Sequence, residues 1–159
     1  MADVPDDSLA LDQQLCFQLY AASNMLTRLY RPALERLGLT YPQYLVMLLL
    51  WDRRPRPRPW SVGELGVRLH LDSGTLTPLL KRLEQAGLVT RRRDPDDERR
   101  VLAAPTPRGL ALRDEAQLVP DAMREGLGLS LPEVEELRTA MEPLVQTLAT
   151  AVAAAGPAG

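Results

Sequence analysis

The sequence predicts a mainly α-helical chain with a small β-wing, and three observations lead there. Apolar residues recur at helical spacing near both ends of the chain. Between these ends lie two short helical patterns joined by a tight turn, followed by two strand-like runs around an Asp- and Pro-rich turn. The 159 residues suffice for a core and suit one domain better than two. At 45% hydrophobic and 25% charged, the composition excludes a disordered or fibrous chain. No apolar run nears the roughly 18 residues of a membrane span. The acidic start MADVPDDSLALD has neither the positive flank nor the apolar stretch of a signal peptide, so no membrane contact and a cytoplasmic location are expected. One cysteine forms no internal disulfide and one histidine leaves no metal-ligand cluster, so no metal or other cofactor is expected. The net charge of −2 conceals an asymmetry, because residues 51–100 hold 12 Lys and Arg against 8 Asp and Glu. That middle third is the part suited to approach a polyanion.

The first helix is expected over about residues 9–29, with Leu15, Leu19, Leu26 and Leu29 on its apolar stripe. Pro32 should end it and open a short second helix that Gly38 closes. Thr40 is a plausible N-cap ahead of Tyr41 and Pro42, and residues 44–51 are apolar enough to be buried all round. An Arg-Pro connector occupies residues 53–59. Ser61-Val62-Gly63-Glu64 matches a capping box for a short helix reaching about His70, with Val62, Leu65 and Leu69 facing inward. Asp72 or Ser73 caps the next helix. Its Leu76, Leu79, Leu80 and Leu83 form the core stripe, and Gly87 stands at the left-handed position beyond its end. Residues 88–93 and 99–103 read as a two-stranded hairpin.

Thr106-Pro107 opens another long helix, and Ser130-Leu131-Pro132-Glu133 is a second capping box before Val134, Leu137, Met141, Leu144, Val145 and Leu148. The Ala- and Gly-rich stretch after Ala149 reads as a frayed end. Helix, turn, helix, hairpin is the order of a winged helix-turn-helix. The expected layout is one domain over 1–159, with residues 40–104 as the winged core. Residues 9–38 and 106–153 supply helices that pair with a second copy of the chain. Trp51, Trp60 and His70 are assigned to packing and a helix end.

A helix entering a DNA major groove needs small hydrogen-bonding side chains at its start and cations further along. Ser73, Thr75 and Thr77, then Lys81 and Arg82, meet that need on the face opposite the leucines. Arginines on a hairpin tip suit the adjacent minor groove, where narrow A·T tracts concentrate negative potential. Arg99 is the candidate for insertion, Asp97 two residues earlier is placed to orient it, and Arg91 is a further cationic contact. A charge run alone is usually only a solvated face; the preceding helix pair is what raises this one to a candidate interface.

The stretch Leu71-Asp72-Ser73-Gly74-Thr75-Leu76-Thr77-Pro78-Leu79-Leu80-Lys81-Arg82-Leu83-Glu84, continuing to Asp97-Glu98-Arg99, closely resembles the recognition helix and wing of MarR-family regulators. Within that family, Leu15-Cys16-Phe17-Gln18-Leu19-Tyr20 and Thr40-Tyr41-Pro42-Gln43-Tyr44 resemble the organic-hydroperoxide-sensing OhrR type. The resemblance runs from about residue 9 to residue 148, and the Arg-Pro connector is its most unusual departure. It implies a homodimeric repressor, not an enzyme, that binds a double-stranded operator and is released when Cys16 is oxidised by an organic hydroperoxide.

A peroxide-reactive cysteine acts as its thiolate, and an ordinary thiol of pKa ~8.5 is only a few per cent ionised at neutral pH. Tyr20, one helical turn from Cys16, can donate a hydrogen bond to sulfur. The resemblance implies the same for Tyr30 and Tyr41, with Tyr41 coming from the other subunit. Phe17, Leu15 and Leu19 give the surroundings an apolar character that favours lipid-like peroxides over hydrogen peroxide. By spacing alone, a lone cysteine and helical tyrosines are more often core. With no second cysteine, oxidised Cys16 would react with a small thiol, cyclise onto a backbone nitrogen or oxidise further. Two alternatives stand beside this reading: a MarR-type repressor released by a small aromatic ligand with Cys16 inert, and a thiol peroxidase. The second lacks a resolving cysteine and any arginine or histidine beside Cys16 in the sequence.

Overall fold

In a computed structural model, which describes residues 9–156, a 3-10 turn (Leu11–Gln13) leads into α1 (Leu15–Leu37), α2 (Tyr41–Leu50), β1 (Trp60–Ser61), α3 (Val62–Leu69) and α4 (Ser73–Gln85). The wing strands β2 (Val89–Asp94) and β3 (Asp97–Pro105) follow, then α5 (Pro107–Ala116), α6 (Val119–Leu127) and α7 (Leu131–Ala155). The reading of the first eight residues as free of a targeting signal lies outside the described residues. No helix among those described is long and apolar enough to cross a membrane.

Local chemistry explains most helix ends. Thr40 and Gln43 form a reciprocal capping box at the start of α2, in which the Gln43 side chain accepts from the Thr40 N–H at 2.9 Å. Ser61 with Glu64, and Ser130 with Glu133, do the same for α3 and α7. Asp72 is the cap of α4. The leucine stripe of α4 is the centre of the core: Leu76, Leu80 and Leu83 are fully buried against Val46 and Met47 of α2 and Leu65 of α3, while Leu79 is half-buried. Leu34 and Leu37 at the end of α1, and Val119 at the start of α6, join that core, so it reaches beyond residues 40–104.

Three expectations are corrected and one is extended. Pro32 does not divide the first helix: α1 runs through it to Leu37, with Gly38 left-handed at φ 65°. A proline removes one i→i−4 bond, a loss that burial of Leu34 and Leu37 offsets. The expected hairpin forms between β2 and β3, but the sheet has an unexpected third strand, because Trp60 and Ser61 pair antiparallel with Ala103 and Leu102; a strand of two residues is too short to show a period in sequence. The long helix expected from Thr106 breaks after Ala116 and restarts at Val119, with Pro120 in its first turn. Finally, the stretch after Ala149 is helical to Ala155, as alanine's high helix propensity permits.

The turn between α3 and α4 is close-packed. His70 is left-handed at φ 54°, the Leu71 N–H donates to the Gly66 carbonyl at 2.9 Å, and a Cβ on Gly66 would sit 2.8 Å from the Leu71 carbonyl oxygen. The start of α5 is bolted to the same unit. The Trp51 indole donates to the Gly109 carbonyl at 2.7 Å, the Thr106 hydroxyl donates to the Gly87 carbonyl at 2.7 Å, and the Thr106 N–H donates to the Leu88 carbonyl. A Cβ on Gly109 would collide with the Leu88 carbonyl oxygen. Gly109→Ala should therefore lower the urea unfolding midpoint by the equivalent of roughly 1–3 kcal/mol, measured by circular dichroism. An unchanged midpoint would show that α5 shifts without cost.

Candidate DNA interface and thiol site

On α4, Ser73, Thr75, Thr77, Lys81 and Arg82 are all exposed, opposite the buried leucines. Thr75 has a structural duty as well: its N–H and hydroxyl both donate to the Asp72 carboxylate, at 2.7 and 3.0 Å. Between the start of α3, α4 and the wing runs a groove of about 550 Å³ lined in part by Thr77, Arg91, Arg99 and Arg100.

Two aspartates shape the wing tip by accepting from backbone two residues on. The Asp94 Oδ1 takes the Asp96 N–H at 3.0 Å, and the Asp97 Oδ1 takes the Arg99 N–H at 3.1 Å. Asp97 also lies 3.4 Å from the Arg99 Nε, the arrangement anticipated from spacing, while the Arg99 side chain is 93% exposed. Arg91 is more restrained than its sequence neighbours suggest. Its N–H donates to the Glu84 Oε1 at 3.1 Å, and its guanidinium grips the Glu84 Oε2 through Nε at 3.0 Å and Nη2 at 2.6 Å. Glu84, which no motif or periodicity singles out, thus ties recognition helix to wing strand.

The thiol and the phenols are brought together only in part. Cys16 is exposed near the start of α1, Tyr20 one turn on is 67% exposed, and Phe17 is half-buried. Tyr30 packs against Tyr41 with ring centroids 4.9 Å apart and against Tyr44 at 6.0 Å. Burial, then the neighbouring Tyr41, raises the Tyr30 pKa; burial also raises that of Tyr41 and, with Tyr30 and Tyr41, pushes Tyr44 up to about 12. These phenols therefore keep their protons at neutral pH and are available as donors. Fourteen residues of helix separate Cys16 from Tyr30, a rise of roughly 21 Å, so one chain does not join them. Tyr30 and Tyr41 thus form one unit within a chain, and a partner subunit would present both rings together.

Fold and surface define a winged-helix DNA-binding regulator. Residues 39–101 match the model of the MarR family. The organic hydroperoxide resistance transcriptional regulator of Bacillus subtilis is 45% identical over 145 residues, covering 89% of this chain and 94% of that protein. Among solved structures, reduced AbfR bound to DNA superposes with TM-score 0.74 at 36% identity, covering 91% of this chain and 96% of that one. Overoxidised AbfR bound to DNA gives 0.71 at 35%, covering 94% and 100%; AbfR comes from Staphylococcus epidermidis. The chain belongs to the MarR family of transcriptional regulators, which are DNA-binding proteins and not enzymes.

The Glu84–Arg91 link has a pH signature. Hydrogen bonding from Arg91 holds the Glu84 carboxyl below its usual range. A carboxylate with a depressed folded pKa stabilises the fold above its unfolded pKa of about 4.3, and that contribution disappears as pH falls through the folded value. Glu84→Gln should accordingly flatten part of the fall in melting temperature between about pH 5 and pH 3. Superimposable acid limbs for the two proteins would remove the pair from the stability of the wing.

Proposed function

We propose that this chain is a homodimeric repressor that binds an inverted-repeat operator and releases it when Cys16 is oxidised by an organic hydroperoxide. The observation that carries the reading is the placement of Cys16: an exposed thiol near the start of α1, with half-buried Tyr30 further along the same helix packed against Tyr41 at the start of α2. Two α1 helices crossing antiparallel near Ser23, midway between residues 16 and 30, bring Cys16 of each subunit to Tyr30 and Tyr41 of the other, because a two-fold contact is reciprocal. The bare helices supply the adhesive. None of the 25 residues of α7 is buried, and Leu137, Met141, Leu148 and Val152 face water in one chain.

Reduced, such a dimer presents its two α4 helices about 34 Å apart, one helical turn of DNA. Acting on DNA, it belongs in the cytoplasm. In the sensing step the Cys16 thiolate attacks a peroxide oxygen of ROOH. The O–O bond breaks, an S–O bond forms, and the alkoxide leaves as ROH after taking a proton, giving sulfenic acid. With no second cysteine in the chain, the sulfenic acid goes on to a small thiol, a backbone nitrogen or a further oxidant. Turning a bound population into one 99% free requires a bias of roughly 5.5 kcal/mol, which repacking at two symmetric sites supplies. Movement of the dimer helices reaches the reading head through the Trp51–Gly109 and Thr106–Gly87 bonds.

A second reading has a physical site: a cleft of about 610 Å³ between α2 and α5, lined by Tyr44, Trp51, Arg53, Arg54 and Arg113 among others, is of a size for a small aromatic ligand that releases DNA while Cys16 stays inert. Operator binding measured before and after stoichiometric cumene hydroperoxide separates the two. Cys16→Ser should bind as the native chain does and stay bound after peroxide; release of the serine variant would remove the thiol from the mechanism. Leu148→Glu with Met141→Glu should convert a dimer to a monomer in sedimentation and abolish operator binding. A dimer that persists in this variant would show that α7 is not the seam.

A further inference from the structure

Residues 53–59 carry four arginines, three prolines and no acid, and neither the recognition helix nor the thiol makes use of them. The prolines fix φ near −65° and narrow the unfolded ensemble, so holding this segment in place loses little entropy. The structure anchors it firmly. The Arg56 guanidinium lies over the Trp60 ring, 3.4 Å from its centroid, with Nη2 3.7 Å from the Glu64 carboxylate at the start of α3. The ring is itself fixed, since the Trp60 Nε1 donates to the Leu49 carbonyl at 3.0 Å. Two residues beyond Arg56, the Arg58 Nη2 lies 3.5 Å from the Asp96 Oδ2, in the turn of the wing next to Asp97 and Arg99. Both side chains are open to water, at 57% and 70% exposure, and an exposed pair of this kind contributes little. Arg58 can therefore exchange that carboxylate for another anion at small cost.

We propose that Arg58, held in position by the Arg56–Trp60 stack, is a DNA contact outside the recognition helix and wing strands. It binds a backbone phosphate flanking the groove that the wing enters, and gives up Asp96 as it does so. The occupant is double-stranded DNA, on two grounds: the segment is purely cationic, and it is continuous with the wing. The inference rests on DNA binding through the wing and adds a contact to it. The competing role for Arg58 is to mask the charge of Asp96, which would otherwise repel phosphates; removing Asp96 distinguishes the two.

The test uses the full chain and a fluorescein-labelled duplex of mixed sequence, with affinity read by anisotropy across a series of NaCl concentrations. Mixed sequence suffices because phosphate contacts are independent of base identity. Arg58→Ala should flatten the slope of log K against log salt by about 0.9 per bound subunit, whereas Arg58→Lys should keep most of it. Asp96→Asn should bind more tightly than the native chain, and adding Arg58→Ala to it should weaken binding again. An Arg58→Ala slope equal to the native one, or a double variant that binds as Asp96→Asn does, overturns the contact. If the native chain binds no duplex at all, the DNA-binding reading falls and takes this one with it. If it binds and Arg58 is silent, only the Arg58 contact falls.

Discussion

A helix of 25 residues without one buried side chain is not at rest in water. In α7, Leu131, Leu137, Met141, Val145, Leu148 and Val152 are exposed among the described residues, and over the first half of α1 so are Leu15, Tyr20 and Met25. Apolar area of this extent drives association, since each buried large side chain contributes roughly 1.5–3 kcal/mol. The two helix ends are where the chain is unfinished as a monomer, and the cysteine lies among those uncovered residues.

The DNA-reading unit has the opposite character. Its leucine stripe is sealed, its helix-turn-helix bend is closed by Gly66 and His70, and Glu84 fastens the wing to the recognition helix through both backbone and guanidinium of Arg91. Close-packed interiors deform little, so the unit moves as a body. Because α5 begins with bonds into that body, from Trp51 to Gly109 and from Thr106 to Gly87, the helices that follow are coupled to the reading unit as a whole. Spacing between two rigid heads is a sensitive variable on DNA, whose half-sites are fixed by the helical repeat.

The wing shows electrostatics settled in detail by geometry. Four acids crowd its tip, Asp94, Asp96, Asp97 and Glu98, beside the arginines that suit DNA. Two of the acids are occupied in shaping the turn, where their oxygens accept backbone N–H groups. Asp97 also steadies Arg99, while Arg58 stands against Asp96. Net charge alone would have made this hairpin an indifferent partner for a polyanion; the fixed positions of its charges make it a directed one.

Local sequence was sufficient for whatever depends on neighbours within a turn or two. The capping boxes at Ser61 and Ser130, the Asp72 cap, the leucine stripe of α4 and the left-handed Gly38 and Gly87 are decided by residues three to five positions apart, and they were legible for that reason. So were the exposed polar face of α4 and the Asp97–Arg99 pair. Only the tertiary structure could decide the rest. Continuation of α1 past Pro32 depends on where Leu34 and Leu37 are buried, and β1 exists only because Ala103 and Leu102 lie beside it. Glu84 meets Arg91 across a helix end and a turn, and Tyr30 meets Tyr41 across two helices. Periodicity is a property of one element; partnership belongs to two, and the chain records the first directly but the second only after it has folded.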